Sequence, residues 1–392
     1  MKEEFKLVSR PRSPGDDAAF LRKENLLHAL RFHSSFPMYA PTPLVNLDCS
    51  AESMGLGAIY VKDESKRFGL NAFKALGGSY AVGRILAQHL GKDISELDYA
   101  QLSSGETRSR LGELCFITAT DGNHGRGLAW TATRFGHRSV VYMPAGSKSV
   151  RLENIRLAGA DAQITTYNYD DTVRLARLHS EENGWILVQD TAWEGYEEIP
   201  AWIMQGYGTM GLEAVSQLPQ RPTHIFLQAG VGSMAAAMAG LFADIYPDAP
   251  PKVIIVESNA ADCIFRTAEA SDGQLHFVGG EMNTIMAGLA CGEPCSIAWK
   301  VLSQCADHFI SCPDSAAKRG MRLLGNPLGS DEAITSGESG AACFGCLAEI
   351  MTSPELENIR CALGLDSSSR VLCFSTEGDT DPENYRSIVY GE

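Results

Sequence analysis

No run of basic residues in this 392-residue chain is longer than two. A nucleic-acid binder needs clustered Lys and Arg to displace phosphate counterions. Here 33 basic residues face 48 acidic ones, for a net charge of −15. That balance excludes a general nucleic-acid partner and disfavours an anionic membrane surface. No apolar core follows the charged start MKEEFKLVSRPRSPGDDAAF, so it does not read as a signal peptide. The uncharged stretch from Thr223 to Ala243 is borderline in length for a membrane span. It contains His224, Gln228, Gly230 and Gly232, and reads instead as strand, turn and helix. Pro-rich linkers and internal repeats are absent. The 11 cysteines are odd in number and lack the paired spacings of a short secreted disulfide scaffold. The expectation is a cytoplasmic protein in a reducing compartment, with no membrane and no nucleic-acid partner.

What is present is globular. Apolar residues make up 44% and charged residues 21%, which rules out wholesale disorder. The length allows two or three domains and a core that needs no disulfide or metal. Strand-like runs alternate with helix-like segments. AIYV ending at Val61, FITA at 116–119, SVVYM at 139–143 and AQITTY after the helical VRLENIRLAG are strands. So are the runs at 186–188, 224–228, 253–256 and 371–374. FKALGGSYAVGRILAQ at 73–88 and the segment 125–135 are helical. Such alternation predicts an α/β fold of mainly parallel sheet, in two parts. The hydrophilic stretch Asp98–Glu113 reads as a surface excursion.

Three segments can carry chemistry. Gly230-Val231-Gly232-Ser233-Met234-Ala235 fits G-x-G-x-x-[G/A] between a strand and a small-residue helix. Glycines there let backbone amides approach a phosphate at a helix N-terminus. Glu257 ends the next strand, close to the place of a ribose-binding acid, so a dinucleotide reading is open from these residues alone. Lys74 stands where a loop enters a helix, and the helix dipole there lowers an amine's pKa, as Schiff-base chemistry requires. A snorkelling surface lysine is the alternative. TATDGNHGRG at 118–127 follows a strand, placing side chains at the carboxyl edge of the sheet where α/β proteins bind ligands. An Asx turn capping the next helix would use the same residues.

The three segments, in this order, resemble the fold-type II pyridoxal-phosphate enzymes. KDESKRFGLNAFK, TDGNHGRG, QDTAWEGY, IMAGLACGEP, SGESGA and STEGDTD, with PTPL at 41–44, are similar to the 2,3-diaminopropionate ammonia-lyase family. The likeness runs from about Tyr39 to the C-terminus, and the first 38 residues carry little of it.

That resemblance implies a tryptophan-synthase-β-like fold of two open domains with pyridoxal 5'-phosphate between them. The large domain would hold 1–75 and 200–392, and the smaller one 76–199. Lys74 would hold the cofactor covalently and Asn123 would bond the ring O3′. Gly230, Val231, Gly232, Ser233 and Met234 would cradle the phosphate, and Ser375 or Thr376 would face the pyridine nitrogen. Glu338 would lie close to the ring. Thr120, Asp121, His124 and Asp190 would meet the substrate. Asp121 and Asp190 would serve as the bases for D and L substrates, on opposite faces. The reaction implied is α,β-elimination of a small amino acid, 2,3-diaminopropionate, to pyruvate and ammonia, in a homodimer.

Three other readings remain open from the sequence: a serine or threonine dehydratase, a nicotinamide-dependent oxidoreductase, and an amino-acid sensor without turnover. Cys343-Phe-Gly-Cys346 has no second pair at zinc spacing and reads as buried thiols. A bridge or redox gate among Cys263, Cys291 and Cys295 stays open on spacing alone. Tyr167-Asn-Tyr169-Asp-Asp171 reads either as part of an entrance or as the cap of the helix that follows.

Overall fold

A computed structural model describes residues 4–120 and 122–391. Asp121 lies outside the described residues. Eleven strands form two sheets. They are β1 (Lys6–Ser9), β2 (Leu44–Asn46), β3 (Ala58–Asp63), β4 (Cys115–Ala119), β5 (Arg138–Met143), β6 (Asp161–Ile164), β7 (Ile186–Leu187), β8 (His224–Gln228), β9 (Lys252–Ser258), β10 (His308–Cys312) and β11 (Arg370–Ser375). The seven-stranded sheet runs β1-β10-β9-β8-β11-β3-β2, and the four-stranded sheet runs β6-β5-β4-β7. All neighbours are parallel except the two edge strands, β1 and β2. The smaller sheet is built wholly from 115–187; the larger takes its strands from both sides of that segment.

The central strands explain themselves. β3, β8 and β10 are buried along their whole length, as helices on both faces require. One large apolar cluster joins side chains from both sheets, including Phe116 and Val140 from one and Ile225 and Phe374 from the other. β10 was not read from sequence: HFISC mixes His308 and Ser311 with apolar residues, yet every position is buried. His308 bonds the Ser9 hydroxyl and Ser311 bonds Asp262, which satisfies those polar groups. The stretch 98–113 is not wholly a surface excursion, because it carries two short helices and buries Leu102 and Thr107.

Two features fix the start of the helix Ala75–Leu90, and therefore Lys74. Gly127, on the helix Asn123–Phe135, lies against Ala75, where a Cβ would come within 2.9 Å of the Ala75 Cα. The second feature is a buried ionic cluster under the loop that leads to Lys74. Glu213 accepts from Lys62 Nζ at 2.8 Å and from Arg67 at 2.8 Å, while Arg67 also holds Glu64 at 2.8 Å. The Thr42 hydroxyl donates to Glu64 at 2.6 Å. Two cations meet two anions, so no buried charge lacks a counter-charge. Burial pushes the Glu213 carboxyl up, but Arg67 and Lys62 outweigh it and hold it at about 2. This cluster pins the turn 64–69 to the helix Glu198–Gln217.

Candidate active site

A cleft lies between the two sheets. Lys74, Asn123, Asp190, Gly230–Met234 and Thr376 all line it. Lys74 reaches across to Asp190, with Nζ 2.5 Å from Oδ2. Asp190 is buried, which alone raises its pKa, but the Lys74 charge, His124 and the Tyr169 hydroxyl bring it down to about 2. The proton of this pair therefore sits on Lys74. Tyr169 donates to the other carboxylate oxygen at 3.3 Å. Tyr169 also begins the helix Tyr169–Asn183, whose cap is Asn168, so the motif both lines the cleft and opens a helix.

The glycine loop lines the same cleft. A Cβ on Gly230 would come within 3.0 Å of the Gly288 carbonyl and 3.2 Å of Cys291 Sγ, so only glycine leaves the space open. Gly232, at φ +97°, is the N-cap of the helix Ser233–Ile245. The first amides of that helix have no intrahelical acceptors and point outward, with the dipole favouring an anion. Among the described residues, no Lys or Arg side chain other than Lys74 lines the cleft. An amide-lined cradle and an amine in one cleft, with the Thr376 hydroxyl in the same lining, fit a phosphorylated aldehyde cofactor such as pyridoxal phosphate. Ser233 ties the cradle to Asp190 by donating to its backbone carbonyl at 2.8 Å.

Several expected residues lie elsewhere. Ser375 turns away from the cleft and bonds Ser336 at 2.8 Å, because successive strand side chains alternate faces. Of the two, Thr376 is the one that lines the cleft. Glu338 does not line it either; it is buried and accepts from Asn384. Glu377 does line it, beside Asp190, and accepts from Asn123 Nδ2 at 2.5 Å and from Ser339 N at 3.1 Å. Thr120 accepts from the amides of Gly122 and Gly125, at 2.9 and 3.1 Å, and so shapes the turn. His124 is buried, with Nε2 donating to the Val188 carbonyl at 2.8 Å and Nδ1 4.0 Å from Asp190 Oδ2. It stands behind Asp190 rather than in the cleft.

Glu257 is no ribose ligand. It is fully buried and accepts from Ile264 N at 2.9 Å and Phe265 N at 2.6 Å, anchoring the helix Cys263–Ala270. Burial pushes its carboxyl well up, despite those two bonds. Among the described residues, no cysteine is in a disulfide. Cys343 donates to Gln228 Oε1 at 3.2 Å. Among the described residues, no group of three His, Cys, Asp or Glu side chains is placed to hold a metal.

Residues 36–361 match the family described as pyridoxal-phosphate dependent enzyme. The diaminopropionate ammonia-lyase of Salmonella typhimurium strain LT2 is 49% identical over 393 residues, covering 98% of this chain and 97% of the relative. The crystal structure of diaminopropionate ammonia-lyase from Escherichia coli in complex with D-serine superposes with a TM-score of 0.92 at 45% identity, covering 99% of this chain and 97% of that one. The same Escherichia coli enzyme in complex with an aminoacrylate-PLP azomethine reaction intermediate gives 0.91 at 45% identity, covering 100% and 98%. Together with the cleft, this similarity shows that the chain belongs to the fold-type II pyridoxal-phosphate-dependent enzymes, in the diaminopropionate ammonia-lyase family.

Proposed function

We propose that this protein eliminates ammonia from D- or L-2,3-diaminopropionate, giving pyruvate and a second ammonia, with pyridoxal phosphate as cofactor. One observation carries the reading: within a chain nearly half identical to diaminopropionate ammonia-lyases, an amine paired to a buried carboxylate faces an amide-lined anion cradle across one cleft.

Pyridoxal phosphate supplies, when bound, an aldehyde for the substrate amine and an electron sink at Cα. The chain's own residues do the rest. Lys74 is the covalent anchor. The amides of Gly230, Val231, Gly232, Ser233 and Met234 take the phosphate. Asn123 serves the ring oxygen, and Thr376, rather than Ser375, serves the ring nitrogen. Asp190 is a weak base while Lys74 is charged beside it, because that charge helps hold its pKa at about 2. Neutralising Lys74 restores basicity to Asp190 at the moment a proton must leave Cα. Asp190 is assigned to the L substrate. Asp121 is assigned to the D substrate, on the resemblance to the family. A carboxylate at either place attracts the second ammonium of a diamino acid.

The two sheets support two domains, 1–75 with 200–392 and 76–199. The cytoplasmic homodimer rests on the family resemblance, and eleven cysteines without a disulfide suit a reducing compartment. Light scattering on the purified protein checks the dimer. Pyruvate release from 2,3-diaminopropionate, compared with serine and threonine, tests the activity. Turnover of serine or threonine above that of the diamino acid would replace this reading with a dehydratase.

A further inference from the structure

Gln228 closes β8, and its amide lies among three groups. Nε2 is 2.9 Å from the Phe374 carbonyl oxygen and 2.8 Å from Thr376 Oγ1, while Oε1 is 3.2 Å from Cys343 Sγ. A carbonyl only accepts, so the atom facing Phe374 must be the amide nitrogen. The same NH₂ group faces Thr376. Thr376 Oγ1 is therefore an acceptor in that bond, and its own hydrogen points elsewhere. Among the described residues, Gln228 is the one side-chain partner of that hydroxyl, and Thr376 lines the cleft.

We infer that Gln228 is a positioning residue: by occupying the acceptor side of Thr376, it makes that hydroxyl a donor into the cleft, toward the ring nitrogen of the cofactor. This deepens the reading under Proposed function and rests on it. Cys343 supports the arrangement by donating to Oε1, which gives one thiol of the C-x-x-C a role that involves neither metal nor redox chemistry. A ring nitrogen that accepts from a fixed donor stays unprotonated. The identity of one buried amide thus sets the electronic character of the cofactor through Thr376.

The test is ¹⁵N NMR of the holoenzyme reconstituted with cofactor labelled at the ring nitrogen. The wild type is expected to show one resonance of a hydrogen-bonded, unprotonated pyridine nitrogen, constant with pH through the neutral range. In Gln228→Glu the carboxylate accepts the Thr376 hydrogen, and the resonance moves toward that of unbonded pyridine. Thr376→Val shifts it in the same direction, and the double variant adds nothing further. Gln228→Met repeats the measurement without burying a charge. A Gln228 variant that binds cofactor and keeps the wild-type resonance overturns the inference alone; Thr376→Val keeping it overturns the Thr376 assignment as well. A wild type that takes up no cofactor overturns the inference and the functional reading together.

Discussion

Asn123 donates through Nδ2 to Oε2 of Glu377 at 2.5 Å, a bond that links the two sheets across the cleft. Asn123 opens a helix behind the four-stranded sheet; Glu377 follows β11 of the seven-stranded sheet. Glu377 also accepts from Ser339 N, so it fixes the Asn123 amide to a rigid frame. Glu377→Ala is expected to destabilise the apo protein by about 1–3 kcal/mol, the cost of stranding a polar partner. It should also weaken cofactor binding, with Glu377→Gln intermediate. Urea unfolding and a cofactor titration check both. An alanine variant unchanged in both would show that Asn123 needs no such partner.

Asp190 and Asp121 should separate by substrate hand. Asp190→Asn is expected to lower turnover of L-diaminopropionate by roughly 10²–10⁴-fold, the range for loss of a general base, and to affect the D form less. Asp121→Asn should do the reverse. Rates on the two separate enantiomers decide it; equal losses on both would assign each aspartate to binding instead.

Glu213 makes a stability prediction far from the chemistry. Glu213→Gln leaves Lys62 and Arg67 under-compensated in the interior, at a cost of about 3–5 kcal/mol. Its folded pKa of about 2 lies below the ordinary 4.5. The stabilisation is thus full above the ordinary value and is lost as pH falls from about 4.5 toward about 2. Acid unfolding should be steeper in that window for the wild type than for Glu213→Gln.

Asp170 behaves oppositely. Burial first, and then Glu293, raise its carboxyl to about 6. Folding therefore favours the protonated form, and the residue costs stability once pH rises from about 4 through about 6. Asp170→Asn should raise the melting temperature above neutral pH and leave it unchanged near pH ~4. A gain equal at both pH values would trace the effect to packing instead.

The cleft was legible where side-chain type and backbone geometry are linked. A glycine pair between a strand and a helix, a lysine at a helix start and an Asn-His after a strand each state their position in the sheet. Glu377 was not legible. It follows the strand end, where the alternation that separates Ser375 from Thr376 no longer predicts direction, and Glu338 looked equally acidic and equally near. Gln228 was visible in sequence but only as an uncharged residue in a long apolar stretch. Its partners Phe374, Thr376 and Cys343 are over 100 positions away, so no local pattern marks it. Glu257 matched a dinucleotide spacing because an acid at a strand end can equally anchor the next helix. The edge strands β1 and β2 are short and antiparallel, with too few residues to show a period.

The central claim is that Lys74, held on Asp190, anchors a cofactor used to release ammonia from a diamino acid. Purified wild type and Lys74→Ala should be incubated with pyridoxal phosphate and 2,3-diaminopropionate, with pyruvate and the visible absorbance followed together. The wild type is expected to become yellow and release pyruvate, whereas Lys74→Ala loses the protein-bound colour and at least roughly 10²-fold of the rate. A Lys74→Ala protein that retained full turnover, or a wild type that neither coloured nor formed pyruvate, would contradict the account.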